Sequence, residues 1–440
     1  MNTYSELHEL ANTVRLESAA PLSDRSKAVQ PEWAGSCARD VARQALPLLT
    51  TSTPMMTLDA SATAGNIETM AQWCSLHNVQ LAPHGKTTMS PALWLAQLDA
   101  GAWGITVANE AQLRVARSVG VKRVQLANLL VRPEGIRWLS NALDGDDSFE
   151  AYVWVDSVSA VQEMNRALEG MKIRRTIKVL IEVGATSART GARTFSSAMD
   201  AAKAVLKSSN LTLAGVSGYE GVITHGTTTE DIELVDDFLR SMVRLHDELL
   251  PSFEVDDVIL TAGGSAYFDR VVDILGTRIN TPESQGRWVT VIVRAGAYIT
   301  HDDGIYAKIT PSLTRNGPRF RAAMNVWARV ISIPEPGIAY LDAGRRDVPA
   351  DEGFPVALDA RRRDGANVHI IPTTGCVVTN MNDQHLHIAL PTNCHLKVGD
   401  VVRLGISHPC TTFDKWTHVA IVDRAEAASP KIVDLIRTYF

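Results

Sequence analysis

The feature that most constrains the fold is an alternation, between about residues 52 and 310, of short β-branched or apolar runs with longer helical patterns. The first run is 54–59, and each run is followed by a helix candidate. Eight or nine such units in about 260 residues match the size of a (β/α)8 barrel, although a doubly wound open sheet alternates in the same way. The pattern predicts an α/β fold, and the strand count favours the barrel. The later strand candidates are 79–82, 104–107, 124–127, 151–155, 177–182, 213–219, 258–261 and 289–294.

After about residue 315 the sequence pattern changes to closely spaced strand candidates separated by Gly, Pro and Asn-Asp turns. No long helical pattern follows until 432–438. A chain of 440 residues also exceeds what one hydrophobic core usually organises. We therefore predict three parts: a helical N-terminal extension over 1–51, a barrel over 52–315, and an antiparallel β domain over 316–440.

Composition excludes several classes of function. The formal net charge is −6, and no Lys/Arg-dense run interrupts the chain, so nucleic acid is not expected as a partner. No uninterrupted apolar stretch reaches about 18 residues, and the N-terminus lacks the basic-then-apolar layout of a secretory signal. The five cysteines have no repeated spacing, which is typical of a reducing compartment. We expect a cytoplasmic protein without a membrane partner.

The first chemical signal is Lys86, in the segment Ala-Pro-His-Gly-Lys-Thr that begins where the apolar run 79–82 ends. In a barrel the chemistry lies at the carboxyl ends of the strands, so this lysine is placed at the mouth. A lysine amine held among apolar neighbours is a competent nucleophile toward an aldehyde. By itself the loop does not distinguish such a lysine from one on an ordinary surface loop.

Two glycine-containing loops follow the last barrel strands. Gly263, Gly264 and Ser265 lie in Thr-Ala-Gly-Gly-Ser-Ala, and glycines at a strand end expose backbone N–H groups that can hold a phosphate dianion. The next loop, Arg-Ala-Gly-Ala-Tyr, offers the Gly296 backbone and the Tyr298 hydroxyl to the same site. Most Gly-Gly pairs are simple turns, but two adjacent loops support each other.

The second chemical signal is Ile-Ser-His-Pro-Cys, in which His408 and Cys410 stand two residues apart. In an extended segment such residues project toward the same side, and both side chains are ligands that Zn²⁺ favours. An isolated His-X-Cys is more typical of a core cysteine beside a surface histidine. The other four cysteines, Cys37, Cys74, Cys376 and Cys394, are expected to pack as small apolar residues.

The order of the short motifs along the chain resembles that in the D-serine dehydratase and D-threonine aldolase family of pyridoxal 5'-phosphate (PLP) enzymes. These motifs are, in order, TPMMTLD, APHGKT, GITVANEAQ, LANLLV, EVGATSARTG, GYEG, TAGGS, RAGAY and SHPC. This family has fold type III and a barrel related to that of alanine racemase. The resemblance runs from about Thr53 to the C-terminus. It implies that Lys86 carries PLP as a Schiff base and that the following residues contact the cofactor: His84, Arg189, Tyr219, Gly263, Gly264, Ser265, Gly296 and Tyr298.

The chain departs from the family pattern in three places. The family often has Arg-Pro-His-Ala-Lys where this chain has Ala-Pro-His-Gly-Lys at 82–86. Its Gly-Leu-Gly-Arg-Thr-Gly region is longer here, at 184–191, and the histidine that tends to follow Tyr-acid-Gly is replaced by Val222, with His225 further on.

The resemblance also gives His408 and Cys410 a divalent metal beside the PLP. His-X-Cys resembles the dehydratase branch with zinc, and His-X-Asp the aldolase branch with a manganese-type ion; Mn²⁺ or Mg²⁺ are the alternatives to Zn²⁺ here. Two protein ligands leave positions open for water or a substrate hydroxyl. Asp383 and His385 occupy an acidic-His turn and are candidates to support these ligands.

The function implied is β-elimination from a D-3-hydroxyamino acid such as D-serine or D-threonine, with Lys86 as the base at Cα and the metal stabilising the departing hydroxide. The products are a 2-oxo acid and ammonia. The alternatives are aldol cleavage to glycine and an aldehyde, a racemase in which the metal pair is idle, and a non-catalytic PLP carrier. A homodimer is implied because fold-type III enzymes commonly build the active site at a dimer interface.

Overall fold

The computed structural model describes residues 3–279 and 286–440, which form two sheets with helices packed around them. The helices in these residues are α1 (Thr3–Ala19), α2 (Ala38–Gln44), α3 (Ala60–Leu76), α4 (Pro91–Asp99), α5 (Glu110–Ser118), α6 (Pro133–Gly145), α7 (Val158–Leu168), α8 (Phe195–Leu206), α9 (Thr229–Leu249), α10 (Phe268–Leu275), α11 (Tyr306–Ile309), α12 (Pro311–Thr314) and α13 (Pro409–Phe413). The strands are β1 (Met55–Asp59), β2 (Gln80–Leu81), β3 (Ile105–Val107), β4 (Arg123–Leu129), β5 (Glu150–Val155), β6 (Ile177–Val183), β7 (Leu211–Gly218), β8 (Asp257–Ala262), β9 (Trp288–Val293), β10 (Met324–Glu335), β11 (Ile338–Leu341), β12 (Val356–Asp364), β13 (Asn367–Pro372), β14 (Val377–Met381), β15 (Leu386–Ala389), β16 (Val401–Gly405), β17 (His418–Val422) and β18 (Ile432–Arg437).

The first sheet contains eight parallel strands, β2 to β9, in the order β2-β9-β8-β7-β6-β5-β4-β3. A parallel bridge between His84 and Thr106 joins its two ends, where the Thr106 N–H also donates to the Pro83 carbonyl at 3.0 Å. The sheet thus curls into a barrel, and its strands read as continuous apolar runs because both faces are covered. The predicted α/β barrel fold is confirmed.

The crossover helices begin where the sequence supplies side-chain caps. Ser157 accepts the Ala160 N–H at the start of α7, and Thr194 and Thr228 form reciprocal capping boxes at the starts of α8 and α9. Each such cap stabilises its helix by about 1 kcal/mol. The caps fix where each helix leaves the sheet and therefore how long each loop at the barrel mouth is.

The second sheet is mostly antiparallel and follows the order β13-β12-β16-β10-β1-β17-β18, with β11, β14 and β15 attached beside β10. Its central strand β1 pairs antiparallel with β10 and parallel with β17. Our assignment of 54–59 to the barrel was therefore wrong. An apolar run that is buried on both faces looks alike in either sheet, so the local sequence did not distinguish them.

One further segment differs from expectation. Residues 432–438 do not form a helix, because Ile432–Arg437 is strand β18 and pairs antiparallel with β17. The N-terminal residues contact both parts of the molecule, since α1 packs against α4 of the barrel while α2 packs against β18 of the second sheet. No helix in the described part of the chain combines the length and apolar character needed to cross a membrane.

The two sheets meet at the barrel mouth. The Asp303 N–H donates to the Ile406 carbonyl at 3.0 Å, and the chain of Gly304 lies so close to Ser407 that a Cβ on Gly304 would be 2.4 Å from the Ser407 Cα. These contacts place the segment that carries His408 and Cys410 over the carboxyl ends of the barrel strands.

Candidate active site

A cavity of about 810 Å³ opens at the carboxyl ends of the barrel strands. Ten of the eleven residues predicted for the site line it, namely His84, Lys86, Arg189, Tyr219, Gly263, Gly264, Ser265, Gly296, His408 and Cys410. The structure thus brings together residues from six separate loops, and Lys86 lines the same cavity as His408 and Cys410.

Lys86 lies in a single 3-10 turn, Gly85–Thr87, directly after β2. This turn fits tightly against the loop after β9, because a Cβ on Gly296 would lie 2.6 Å from the His84 carbonyl oxygen and 2.9 Å from Thr87 Oγ1. A side chain at position 296 would therefore separate the two loops. The close approach fixes where the lysine amine enters the cavity.

His84 precedes this turn, and its Nδ1 atom is buried without a hydrogen-bond partner in the described residues. Burial, together with the positive charges of Lys86 and Arg294, lowers the pKa of His84 well below its usual value. The imidazole is therefore neutral at pH 7 and can accept or donate one hydrogen bond at the cavity wall.

Tyr219 and Arg189 form one side of the cavity. The Arg189 guanidinium lies 4.8 Å from the centroid of the Tyr219 ring, a cation–π distance. The ring also packs on bare backbone, since a Cβ on Gly264 would lie 2.8 Å from it. Burial raises the pKa of the Tyr219 phenol, which stays neutral.

The Gly263-Gly264 loop has a different arrangement from the one predicted. Its two backbone N–H groups donate to the carboxylate of Glu220, at 2.9 Å from Gly263 and 2.7 Å from Gly264. Ser265, next along, accepts the Ala297 N–H at 3.2 Å, and its hydroxyl also forms a hydrogen bond with the Tyr306 hydroxyl. The amides of Gly263 and Gly264 are therefore not free, and the loop offers the Ser265 hydroxyl to the cavity.

Tyr298 does not reach the cavity, which corrects its predicted role. Its hydroxyl accepts a hydrogen bond from the Gln97 side chain at 2.9 Å, and its ring packs 5.7 Å from the ring of Phe320. Burial raises the pKa of Tyr298 above its usual range. Tyr306, eight residues later, is the tyrosine that lines the cavity beside Ser265.

His408 and Cys410 adjoin each other at the cavity wall. His408 Nδ1 is 2.7 Å from the Asp351 carboxylate, and Cys410 Sγ is 3.4 Å from Thr87 Oγ1. Burial opposes a charged imidazole, but the bonds and charges of Cys410 and Asp351 outweigh it and raise the pKa of His408 to about 9. Burial likewise disfavours the thiolate, but His408 and Thr87 lower the pKa of Cys410.

These two side chains suit a divalent metal. A thiol whose pKa is lowered and an imidazole held through Nδ1 by a carboxylate are the arrangement that orients zinc ligands. Within residues 3–279 and 286–440, no group of three or more His, Cys, Asp or Glu side chains forms a complete ligand set. Asp383 lies away from this pair, in a separate cleft beside Lys27, where it pairs with Arg346 at 3.6 Å; His385 follows in the same turn.

The sequence analysis missed several residues that line the cavity. Arg294 is buried at the end of β9, donates to Thr261 Oγ1 at 2.8 Å, and lies 4.7 Å from the ring of Trp154. Burial lowers the pKa of Arg294 to about 10. The signal was present, since a charged residue that ends an apolar strand run must face a polar site or a partner.

Glu182 was also missed. It ends β6, accepts the Thr190 hydroxyl at 3.1 Å through one oxygen, and its other oxygen is buried without a partner in the described residues. Burial raises the pKa of Glu182 to about 7. A carboxyl group that titrates near neutrality in a cleft is characteristic of a functional site.

The residues present fit PLP. The glycines at 264 and 296 leave backbone space that a Cβ would fill, the Ser265 and Tyr306 hydroxyls supply donors for a phosphate, and Lys86 supplies a primary amine in the same cavity. Arg294 and Arg189 add positive charge to the walls.

Comparison with known proteins agrees with this geometry. The family model described as a putative serine dehydratase domain matches residues 323–422. D-threonine aldolase of Arthrobacter sp. is 24% identical over 383 residues, 86% of this chain and 90% of that protein. These similarities support the resemblance of the chain to the fold-type III PLP enzymes. Among solved structures of this fold, D-threonine aldolase from Filomicrobium marinum has a TM-score of 0.73 at 23% identity, covering 89% of this chain and 96% of that one. D-threo-3-hydroxyaspartate dehydratase from Delftia sp. HT23 has a TM-score of 0.66 at 19% identity, covering 89% and 99%.

Proposed function

We propose that this fold-type III enzyme is a metal-assisted lyase that converts a D-3-hydroxyamino acid such as D-serine or D-threonine to a 2-oxo acid and ammonia. The observation that carries the proposal is that His408 and Cys410 line the same cavity as Lys86. The names of the similar proteins support the substrate class, because threonine and 3-hydroxyaspartate both carry a hydroxyl on Cβ.

The cofactor would be held by Lys86 through its amine, by Tyr219 along one side, and by the hydroxyls of Ser265 and Tyr306 at the phosphate. PLP supplies an electron sink that makes the Cα–H bond of an attached amino acid acidic. Lys86 would be the group that takes that proton, and the close fit of its loop against Gly296 would keep its amine in position.

The metal would be held by His408 and Cys410, and we expect Zn²⁺ because thiolate and imidazole are its preferred ligands. A divalent cation supplies Lewis-acid stabilisation for a departing hydroxide. Asp351 orients the His408 ring by accepting from Nδ1, which leaves Nε2 as the coordinating nitrogen.

Aldol cleavage to glycine and an aldehyde is the second candidate. Its support is that D-threonine aldolases occur both among the sequence relatives and among the similar structures. The two reactions share a substrate and differ in which bond to Cβ breaks. Cys410 favours elimination, since the sequence resembles the branch with cysteine rather than aspartate at this position.

D-Threonine separates the candidates in one experiment. The purified enzyme is incubated with PLP, Zn²⁺ and D-threonine, with and without EDTA, and the products are quantified. EDTA-sensitive formation of 2-oxobutanoate and ammonia in equal amounts supports elimination. Formation of glycine and acetaldehyde would instead show aldol cleavage. A PLP-loaded protein without turnover on a panel of D-amino acids would indicate a PLP carrier.

The homodimer and the cytoplasmic location belong to the same proposal. The dimer rests on the family resemblance, and light scattering of the purified enzyme tests it. A monomer with full activity would contradict an active site shared between two subunits.

A further inference from the structure

Glu220 is fully buried, yet it forms none of the cavity wall. It stands in the 3-10 turn Glu220–Val222 that follows β7, one residue after Tyr219. Its two carboxylate oxygens accept separate backbone N–H groups, from Gly263 at 2.9 Å and from Gly264 at 2.7 Å. One buried carboxylate therefore binds two successive amides of a loop that belongs to a different strand.

This arrangement changes which groups are free to bind a phosphate. A backbone N–H has one hydrogen, so the amides of Gly263 and Gly264 are satisfied by Glu220 before any ligand arrives. The Ser265 hydroxyl with its Tyr306 partner lies at this end of the cavity and is available to a phosphate. The glycine pair then acts as a spacer whose position the carboxylate sets.

The geometry of the glycines agrees with this role. Gly263 has φ +115, a conformation that side chains rarely adopt, and a Cβ on Gly264 would lie 2.8 Å from the Tyr219 ring. The carboxylate and the ring thus hold the same turn from two sides. The positive charge of Arg294 also acts on the Glu220 carboxylate, and Arg294 itself donates to the Gly218 carbonyl at 2.5 Å.

We propose that Glu220 is a positioning residue for the phosphate end of the cofactor site, which it sets by fixing the Gly263-Gly264 turn so that Ser265 faces the cavity. The inference rests on the PLP-binding part of the proposed function, not on whether the reaction is elimination or aldol cleavage. Glu220 touches neither substrate nor cofactor and acts through the turn that it binds.

The test compares PLP with pyridoxal, the same aldehyde without its phosphate. Dissociation constants of both are measured by absorbance titration of the cofactor-free protein for wild type and for Glu220→Gln. The glutamine keeps one acceptor oxygen but presents an NH₂ group to the second amide. We expect PLP binding to weaken by about tenfold or more, the fold-change of one lost hydrogen bond to a charged group, and pyridoxal binding to stay unchanged.

The matched control is Glu254→Gln. The Glu254 carboxylate also accepts a backbone N–H, that of Leu213 at 3.1 Å, but near the start of β7 and so away from the strand ends that form the cavity. It should leave both dissociation constants at their wild-type values. Equal weakening of PLP and pyridoxal in Glu220→Gln, or no weakening of either, would overturn the proposal.

Hydrogen–deuterium exchange of the wild-type protein tests the same inference should Glu220→Gln not fold. We expect the amides of Gly263 and Gly264 to exchange slowly without PLP and to change little on PLP binding. Fast exchange that becomes slow only with PLP would show that the phosphate, not Glu220, takes these amides. Neither measurement depends on turnover, so a wild type that binds PLP but forms no 2-oxo acid would refute the proposed reaction and leave this inference standing.

Discussion

Gly296→Ala tests how closely the two loops that build the site must approach. The new Cβ would lie 2.6 Å from the His84 carbonyl oxygen and 2.9 Å from both the His84 Cβ and Thr87 Oγ1. An ordinary contact needs about 3.5 Å, so the loops must separate by close to 1 Å. Because the nearest atom belongs to the backbone, no side-chain rotation relieves the clash.

Two magnitudes follow from that displacement. Overpacking of this kind costs about 1–3 kcal/mol of the free energy of unfolding. A shift of about 1 Å at a lysine that must meet its substrate lowers kcat/KM by about 100-fold. We expect both losses, measured by urea denaturation of the cofactor-free protein and by product formation from the D-3-hydroxyamino acid substrate.

Gly65→Ala is the matched control. Gly65 lies exposed within α3, nothing stands within 4 Å of the Cβ it would gain, and its φ is not positive. The substitution should raise the free energy of unfolding by about 0.5–1 kcal/mol and leave activity unchanged. A Gly296→Ala protein with wild-type stability and wild-type kcat/KM would refute the reasoning.

Three further predictions follow from individual side chains. Cys410→Ala should abolish EDTA-sensitive turnover while Cys37→Ala, at the N-terminal extension, retains it; equal activity of the two would exclude Cys410 as a metal ligand. Arg361→Ala should lower the free energy of unfolding in urea by about 3 kcal/mol or more, since its buried guanidinium bonds Asp359 and four backbone carbonyls. Arg363→Ala, on the exposed end of the same strand, should change it by less than about 0.5 kcal/mol. Burial raises the pKa of Glu182 to about 7 from a usual 4.5. Between these pH values the folded cofactor-free protein therefore binds more protons than the unfolded chain, and its free energy of unfolding falls by on the order of 3 kcal/mol as the pH rises through them. A Glu182→Gln protein whose free energy of unfolding in urea falls just as steeply with pH would contradict this.

Much of the architecture could be predicted because it depends on local patterns. The alternation of apolar runs and amphipathic helices indicated the barrel, and glycines or lysine directly after strand runs indicated the mouth. Strand β1 was assigned to the wrong sheet because strand pairing is a long-range property. A short run buried on both faces carries no local sign of its partners.

The candidate site was predicted to the level of loops but not of atoms. Ser265 and Gly296 followed from motifs, yet which tyrosine reaches them depends on the turn after β9, which directs Tyr298 to Gln97 and leaves Tyr306 at the cavity. Glu220 lies in the GYEG motif, but an acid beside a tyrosine is ordinary in sequence and did not indicate the role of its carboxylate. Its role depends on the distance between two loops 43 residues apart, which only the folded chain defines.

The most direct test of the central claim is to find where the cofactor attaches. The purified protein is incubated with PLP, reduced with sodium borohydride and digested, and the modified peptide is sequenced by mass spectrometry. We predict a single pyridoxyl group on Lys86 and an absorbance band of the unreduced protein that is lost in Lys86→Ala. A pyridoxyl group on another lysine, or none at all, would contradict the account.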